Sequence, residues 1–321
     1  MIFKKERLPN GRRHIYLFGI KICSYKKRLS QFDKIYAQRF CGLPESKIRY
    51  CLEQQFKNAL GYPLNLDNPN TFNEKLQWLK LYYRNPLMTR CADKVAVRDY
   101  VAEKIGTKYL IPCLGIWDNP DDIDFEKLPD KFVLKVNWGS GQNIIVKDKS
   151  KLDVISIRRQ LSQWMQPDNN LYFRFFEWGY KNIKPKIIAE KYIEQMDGKL
   201  LDYKFFCFNG VPKYCQIDID RYVNHTRCFY NMEYDKQEFT VGYPIYQGNI
   251  EKPDRFAEMS EIARILSENF PHVRVDLFAI NNNIYFGEMT FFHGAGYERF
   301  QPFEWDKSFG DLLILPDQKI K

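Results

Sequence analysis

The sequence has no apolar run close to the roughly 20 residues that span a bilayer, which argues against an integral membrane protein. It has no internal repeat and no low-complexity linker. Its 17 glycines and 16 prolines in 321 residues are too few for a collagen-like or disordered chain. Its eight cysteines include no C-x-x-C pair, and its four histidines, His14, His225, His272 and His293, are scattered, so no zinc pattern forms. Cysteines in settings such as Phe205-Phe206-Cys207-Phe208 read as small buried hydrophobes in a reducing compartment. The amino terminus lacks the cleavage site of a signal peptide: Ile15 to Ile20 is short, and Lys21, Lys26, Lys27 and Arg28 follow it. The expected location is cytoplasmic.

What is present is core-forming material, with 45% hydrophobic and 16% aromatic residues, enough for one large α/β unit or two to three domains. The net charge of +9 is concentrated at one end. Residues 1–28 hold nine basic side chains against the single acid Glu6, a balance of +8, which leaves +1 for all the rest. Nucleic acid is therefore not an expected partner. Interleaved with Phe3, Ile15, Leu17, Phe18 and Ile20, the basic segment can be drawn to anionic lipid headgroups on the cytoplasmic face of the inner membrane. The alternative is a solvated hairpin around Pro9-Asn10-Gly11.

Three regions follow: a basic arm (1–29), a helical region (30–108) and a mixed core (109–321), whose flap part covers about 131–190 and whose later part covers about 191–315. Helical spacing marks Phe32-Ile35-Tyr36-Phe40, Ile48-Cys51-Leu52-Phe56 and Leu76-Leu79-Tyr83, and Thr71-Phe72-Asn73-Glu74 is a capping box. A fourth helix is expected from about Leu87 to Ile105, ending at Gly106. Strands are expected at 109–111, 131–136, 144–146, 186–189, 201–208, 211–217, 273–280 and 284–286, with helices over 151–165 and 252–269. The class is α+β.

Three segments could carry chemistry. Lys135 ends a strand and is followed by the small-residue loop Gly139-Ser140-Gly141 and a second strand, a flap whose amides can wrap phosphate oxygens. It is not a Walker loop, which needs a lysine after the glycines and a helix behind them. Asp276 and Glu288 each stand alone as acids in apolar strands joined by Asn281-Asn282-Asn283, so a hairpin would bring them together. Hard oxygen ligands there, with Thr290 adding another, suit Mg²⁺ carrying nucleotide phosphates; pairing with Arg274 and Arg299 is the simpler alternative. Ile188-Ala189-Glu190-Lys191-Tyr192-Ile193 turns polar at its end and can receive a base, leaving Asp202 one strand later for ribose hydroxyls.

In this order the pieces resemble the ATP-grasp superfamily. Asn70-Thr71-Phe72-Asn73-Glu74-Lys75-Leu76-Gln77-Trp78, Ala92-Asp93-Lys94-Val95-Ala96-Val97-Arg98 and Asp202 to Gly210 look more closely like the TupA-like ATP-grasp family of bacterial cell-surface polysaccharide (teichuronopeptide) biosynthesis. The resemblance covers about residues 40–315 and implies an ATP-grasp fold, two α+β subdomains sandwiching ATP, behind a helical amino-terminal region. It implies that Lys94 and Lys135 meet the nucleotide, with Gly139, Ser140 and Gly141 in the flap. By the same likeness Glu190, Lys191, Tyr192 and Ile193 form the adenine hinge, and Asp202 and Lys204 open the next nucleotide-binding strand, with Glu194 as the competing ribose acid. It further implies that Asp276 and Glu288 hold metal, with Thr290 where the superfamily has asparagine, and that Arg274 steadies the transferring phosphoryl group.

Such a site implies ATP- and Mg²⁺-dependent activation of a carboxylate as an acyl phosphate, attacked by an amine to give an amide, ADP and phosphate. The family context implies a uronic acid or other acidic component of a capsular or cell-envelope polysaccharide and an amino acid or amino sugar. Arg221 and His293 are candidates for substrate contact. The rival reading is a glycosyltransferase using Asp218 and Asp220 as a D-x-D metal site on a sugar nucleotide.

Overall fold

The computed structural model describes the backbone of residues 3–7, 12–17 and 20–26, and residues 30–193, 201–219 and 224–317 in full. The chain falls into two compact units, 1–54 and 55–321. In the first, β1 (Phe3–Arg7), β2 (Arg12–Leu17) and β3 (Ile20–Lys26) pair antiparallel in that order. Strands therefore pair on either side of Pro9-Asn10-Gly11, while that turn lies outside the described residues. Helix α1 (Gln31–Tyr36) starts at a Ser30–Asp33 capping box, and α2 (Glu45–Leu60) crosses the division between the units.

The next helix, wholly within the second unit, is α3 (Phe72–Tyr82). The Thr71 hydroxyl accepts from the Glu74 amide and the Glu74 carboxylate accepts from the Thr71 amide, as the capping box requires. The expected helix over 87–105 is two helices, α4 (Pro86–Ala92) and α5 (Val97–Ile105). The cause is Asp93, whose carboxylate accepts from the amides of Val95 and Ala96 and so ends one helix and starts the next. The strand expected at 109–111 is also absent. Tyr109 closes a 3₁₀ turn with its ring buried and its hydroxyl on Glu258, the Ile111 carbonyl is taken by Arg98, and Pro112 has no N–H for a ladder.

A four-stranded antiparallel sheet follows, built from β4 (Cys113–Trp117), β5 (Phe132–Val136), β6 (Asn143–Val146) and β7 (Ile187–Lys191) in the order β4-β7-β5-β6. Helices α6 (Val154–Trp164) and α7 (Leu171–Phe175) lie between β6 and β7 in sequence. A five-stranded sheet contains β8 (Asp202–Phe208), β9 (Val211–Ile219) and β10 (Thr226–Tyr230), and β11 (Thr240–Val241) and α8 (Phe256–Ser267) come next in the chain. The hairpin β12 (His272–Ile280) and β13 (Asn283–Thr290) completes that sheet in the order β10-β9-β8-β12-β13, while β14 (Phe300–Gln301) pairs β11 before α9 (Glu304–Leu312).

Strand β8 is buried along its whole length, and alternation sorts its side chains. Phe205 and Cys207 face α8, the first against Phe256 at 5.4 Å between rings and the second toward the Ala263 carbonyl. Lys204, Phe206 and Phe208 face the other way, where Phe72 and Phe309 continue an aromatic core. Among the described residues no helix is long and apolar enough to cross a membrane.

Candidate active site

The hairpin β12–β13 turns on Asn281 and Asn282, both in the left-handed region at φ 49° and 60°, a two-residue turn that asparagine tolerates. Continued regularly, that pairing would set Asp276 opposite Gly287 and put Glu288 on the far face. The register slips by one residue at Gly287, so that Asp276 instead lies opposite Glu288 and Arg274 opposite Thr290. A one-residue slip reverses which face a side chain takes, so this bulge is what brings the two acids together. The glycine inside Ile284-Tyr285-Phe286-Gly287-Glu288 is the sequence signal for it.

The same face extends across the sheet. Gln216, Lys204, Asp276 and Glu288 form one cross-strand row, with Arg227 opposite Asp218 beside it. Arg274 grips Asp276 bidentately, Nε to Oδ1 and Nη2 to Oδ2 at 2.7 Å each, and Nη2 also donates to the Thr290 hydroxyl at 3.1 Å and lies 3.7 Å from Glu288. Arg299, the other candidate partner of these acids, instead donates to the Ala59 carbonyl. Lys204 Nζ donates to Asp202 and Asp218 at 2.9 Å each. Burial pushes the Glu288 carboxyl up, but Lys94, Arg274, Lys204 and Lys135 outweigh it and hold the group at about 2.

Lys94 arrives from the break between α4 and α5. Asn137, fully buried, fixes that break: its amide group donates to Asp93 at 2.9 Å and to the Lys184 carbonyl at 3.0 Å, and its backbone carbonyl accepts from the Lys94 amide. The Lys94 side chain donates to the Gly139 carbonyl at 2.7 Å and lies 3.5 Å from Glu288, so it ties the flap loop to β13. Lys135 on β5 meets Glu190 on β7 at 2.6 Å, and Arg98 holds the other Glu190 oxygen at 3.1 Å. Lys94, Val97, Arg98, Leu110, Lys135, Glu190, Phe286 and Gly287 line one cleft between the two sheets. The sheet face bearing Lys135 and Glu190 also bears Val133, Ile188, Ile116 and Ile145; Ile116 and Ile145 are 43% and 50% exposed, an open apolar floor.

Lys191, Tyr192 and Ile193 continue from β7, and Ser140 and Gly141 are exposed at the flap tip. Glu194, Asp220 and Arg221 lie outside the described residues. His293 is 3% exposed, packed edge-on to Phe206. Tyr180, which the sequence did not mark, is buried beside the site; burial and the nearby charges of Glu177 and Glu288 push its hydroxyl well up. Asp218 accepts from Lys204, Gln216 and Arg227, so the first acid of the D-x-D is enclosed by protein donors.

Among the described residues no group of three or more His, Cys, Asp or Glu could hold a metal ion on its own. Asp276, Glu288 and Thr290 place two carboxylates and a hydroxyl on one sheet face, hard oxygen donors of the kind that hold Mg²⁺ together with substrate phosphates, while both Asp276 oxygens also accept from Arg274.

A family model described as TupA-like ATPgrasp matches residues 74–314, three quarters of the chain. The chain belongs to the TupA-like ATP-grasp family. Its helices and antiparallel sheets make an α+β fold. A D-alanine–D-alanine ligase from Bacillus anthracis superposes with a TM-score of 0.42 at 14% identity, over 82% of this chain and 84% of that one. A RiPP-associated ATP-grasp ligase from Chryseobacterium gregarium, in complex with ADP and a leader and core peptide, gives 0.40 at 12% identity over 99% and 87%. No curated protein matches the sequence.

Proposed function

We propose that this TupA-like ATP-grasp protein joins a carboxylate to an amine through an acyl phosphate, releasing ADP and phosphate. The supporting observation is that Lys94 and Lys135 line one cleft between two antiparallel sheets, Lys135 paired with Glu190, and that Lys94 reaches from that cleft to Glu288, which also neighbours the Arg274–Asp276 pair. Charge that develops in phosphoryl transfer sits on oxygen, so fixed cations are what such chemistry needs.

In this reading the base lies on the apolar floor of Ile116, Val133 and Ile145, with its edge on the hinge Glu190 to Ile193. Asp202 receives the ribose, Lys204, Lys94, Lys135 and the Gly139-Ser140-Gly141 loop receive phosphates, and Arg274 steadies the group in flight. Asp276, Glu288 and Thr290 would hold Mg²⁺, which when bound neutralises phosphate charge. The flap, spanning about 131–190, covers the nucleotide from one side, the metal-binding part at about 191–315 from the other, and excluded water cannot then hydrolyse the acyl phosphate. Arg221 meets the acceptor. The carboxylate is an acidic component of a cell-surface polysaccharide, such as a uronic acid, and the amine an amino acid or amino sugar. The +8 segment at residues 1–28 holds the enzyme on anionic membrane from the cytoplasmic side. Salt-insensitive vesicle binding, or binding unchanged without that segment, would overturn the membrane contact.

Thermal shift tests the nucleotide assignment. Mg·ATP should raise Tm. Stabilisation by a UDP-sugar with no response to Mg·ATP would reject it.

A further inference from the structure

Arg274 donates from Nη1 to His293 Nδ1 at 2.7 Å. A guanidinium is always protonated, so the ring nitrogen must be the acceptor, and the neutral imidazole then carries its proton on Nε2. That nitrogen lies 3.1 Å from Glu298 Oε2, in a contact too bent for a regular hydrogen bond. Glu298 Oε2 in turn lies 3.0 Å from Arg227 Nη1, and Arg227 Nε donates to Asp218 at 2.6 Å. Burial pushes the imidazole down, which keeps it neutral between the arginine and the acid.

The backbone is shaped around this contact. Gly294, Ala295 and Gly296 are all left-handed, at φ 52°, 54° and 66°. A Cβ on Gly294 would lie 2.4 Å from Glu298 Cγ, and one on Gly296 would lie 2.3 Å from Gln77 Nε2. The buried polar side of α3 pins the loop: Lys80 donates to the Ala295 carbonyl at 2.7 Å, Gln77 to Ala295 and Gly296, and Asn73 to the Glu298 carbonyl at 2.9 Å.

We propose that His293 and Glu298 are positioning residues for Arg274, fixing the guanidinium from the side opposite Asp276; this rests on the role proposed above for Arg274. A histidine that only filled space against Phe206 would need neither the acceptor nitrogen nor the acid behind it. Among the described residues one Arg274 N–H, on Nη1, has no acceptor, and the His293 contact sets its direction.

Two measurements on the full chain test this. Imidazole ¹⁵N shifts should show His293 Nδ1 unprotonated and Nε2 protonated, and a protonated Nδ1 would overturn the proposal. ADP formation from Mg·ATP, with water as acceptor, gives the second readout. His293→Leu should lower kcat about 10–100-fold while the Mg·ATP Kd stays within about twofold. His293→Asn, whose side-chain oxygen can accept from Nη1, should recover much of that loss, and Glu298→Gln should fall between. Activity of His293→Leu within about threefold of wild type, or no recovery in His293→Asn, would overturn it. A wild-type chain that does not bind Mg·ATP would instead remove the nucleotide-site reading, and the ring tautomer would still decide the His293 geometry.

Discussion

The two sheets that line the cleft are finished differently. The four-stranded sheet presents Ile116 and Ile145 half-exposed, with the ion-pair group Arg98–Glu190–Lys135 at one margin and the pair Lys186–Asp118 at another. The five-stranded sheet presents a nearly closed polar network in which Arg274, Asp276, Lys204, Asp218 and Arg227 are all buried and each is engaged by a neighbour. An open apolar floor gains free energy only when something covers it, whereas a preorganised array of charge is ready before the reaction begins. In the proposed reading the base binds on the first sheet, and most of the groups that act on the phosphates, Lys135 excepted, belong to the second.

The largest effects should come from the charged sheet. Glu288→Gln and Asp276→Asn should each abolish turnover, but they should part company in stability. Glu288 is 37% exposed at its side chain, so water screens part of what its ion pairs contribute, and its amide should cost less stability than Asp276→Asn. Asp276→Asn leaves the Arg274 charge buried and poorly paired, a loss of about 3–5 kcal/mol. Turnover within about threefold of wild type in either variant, or equal melting of both, would break the comparison.

Lys135→Met comes next, with a rate loss of about 3 kcal/mol, two orders of magnitude, and a smaller change in nucleotide affinity. Weakened nucleotide binding with an unchanged turnover rate would place Lys135 in ground-state binding alone.

Acid stability gives a further test of the ion pairs around the charged sheet. Despite burial, Glu288 is held at about 2 by Lys94 and Arg274, and Glu298 at about 2 by His293 and Arg227. A carboxyl depressed in the folded state adds stability that is full above its ordinary value of about 4.5 and is lost as pH falls toward about 2. These two groups should lower unfolding free energy over that window, whereas Asp276, raised by burial to about 6, acts in the opposite direction between about 6 and its ordinary 3.8; Glu298→Gln should remove the Glu298 share of the decline. An unchanged slope would contradict the assigned pairing.

The smallest effect belongs to the open sheet. Ile145→Ser should weaken Mg·ATP binding about tenfold, a cost of about 1–2 kcal/mol for lost apolar contact, with little change in Tm because the side chain is half-exposed without ligand. A large fall in Tm with unchanged affinity would make the residue structural.

Local signals were readable in the sequence and non-local ones were not. The Thr71–Glu74 capping box lies within one turn, and the β12–β13 hairpin is set by an asparagine turn, so both could be seen in a few residues, whereas the meeting of Asp276 with Glu288 depends in addition on the bulge at Gly287. The interruption at Asp93 was missed because it depends on Asn137, more than forty residues away, and contains neither glycine nor proline. Glu190 was expected at the hinge, but its grip on Lys135 follows from strand pairing across 55 residues. His293 was noticed for its place after the metal strand. Its partners Arg274 and Glu298 become visible only once β12 and the left-handed loop are in place.

The central claim is that this cleft activates a carboxylate by phosphorylation. The direct measurement supplies the substrate carboxylate labelled with ¹⁸O, with Mg·ATP and the amine, and analyses the released phosphate by mass. An acyl phosphate requires one labelled oxygen to leave in phosphate alongside ADP. Label retained wholly in the product, or AMP and pyrophosphate in place of ADP and phosphate, would contradict the account.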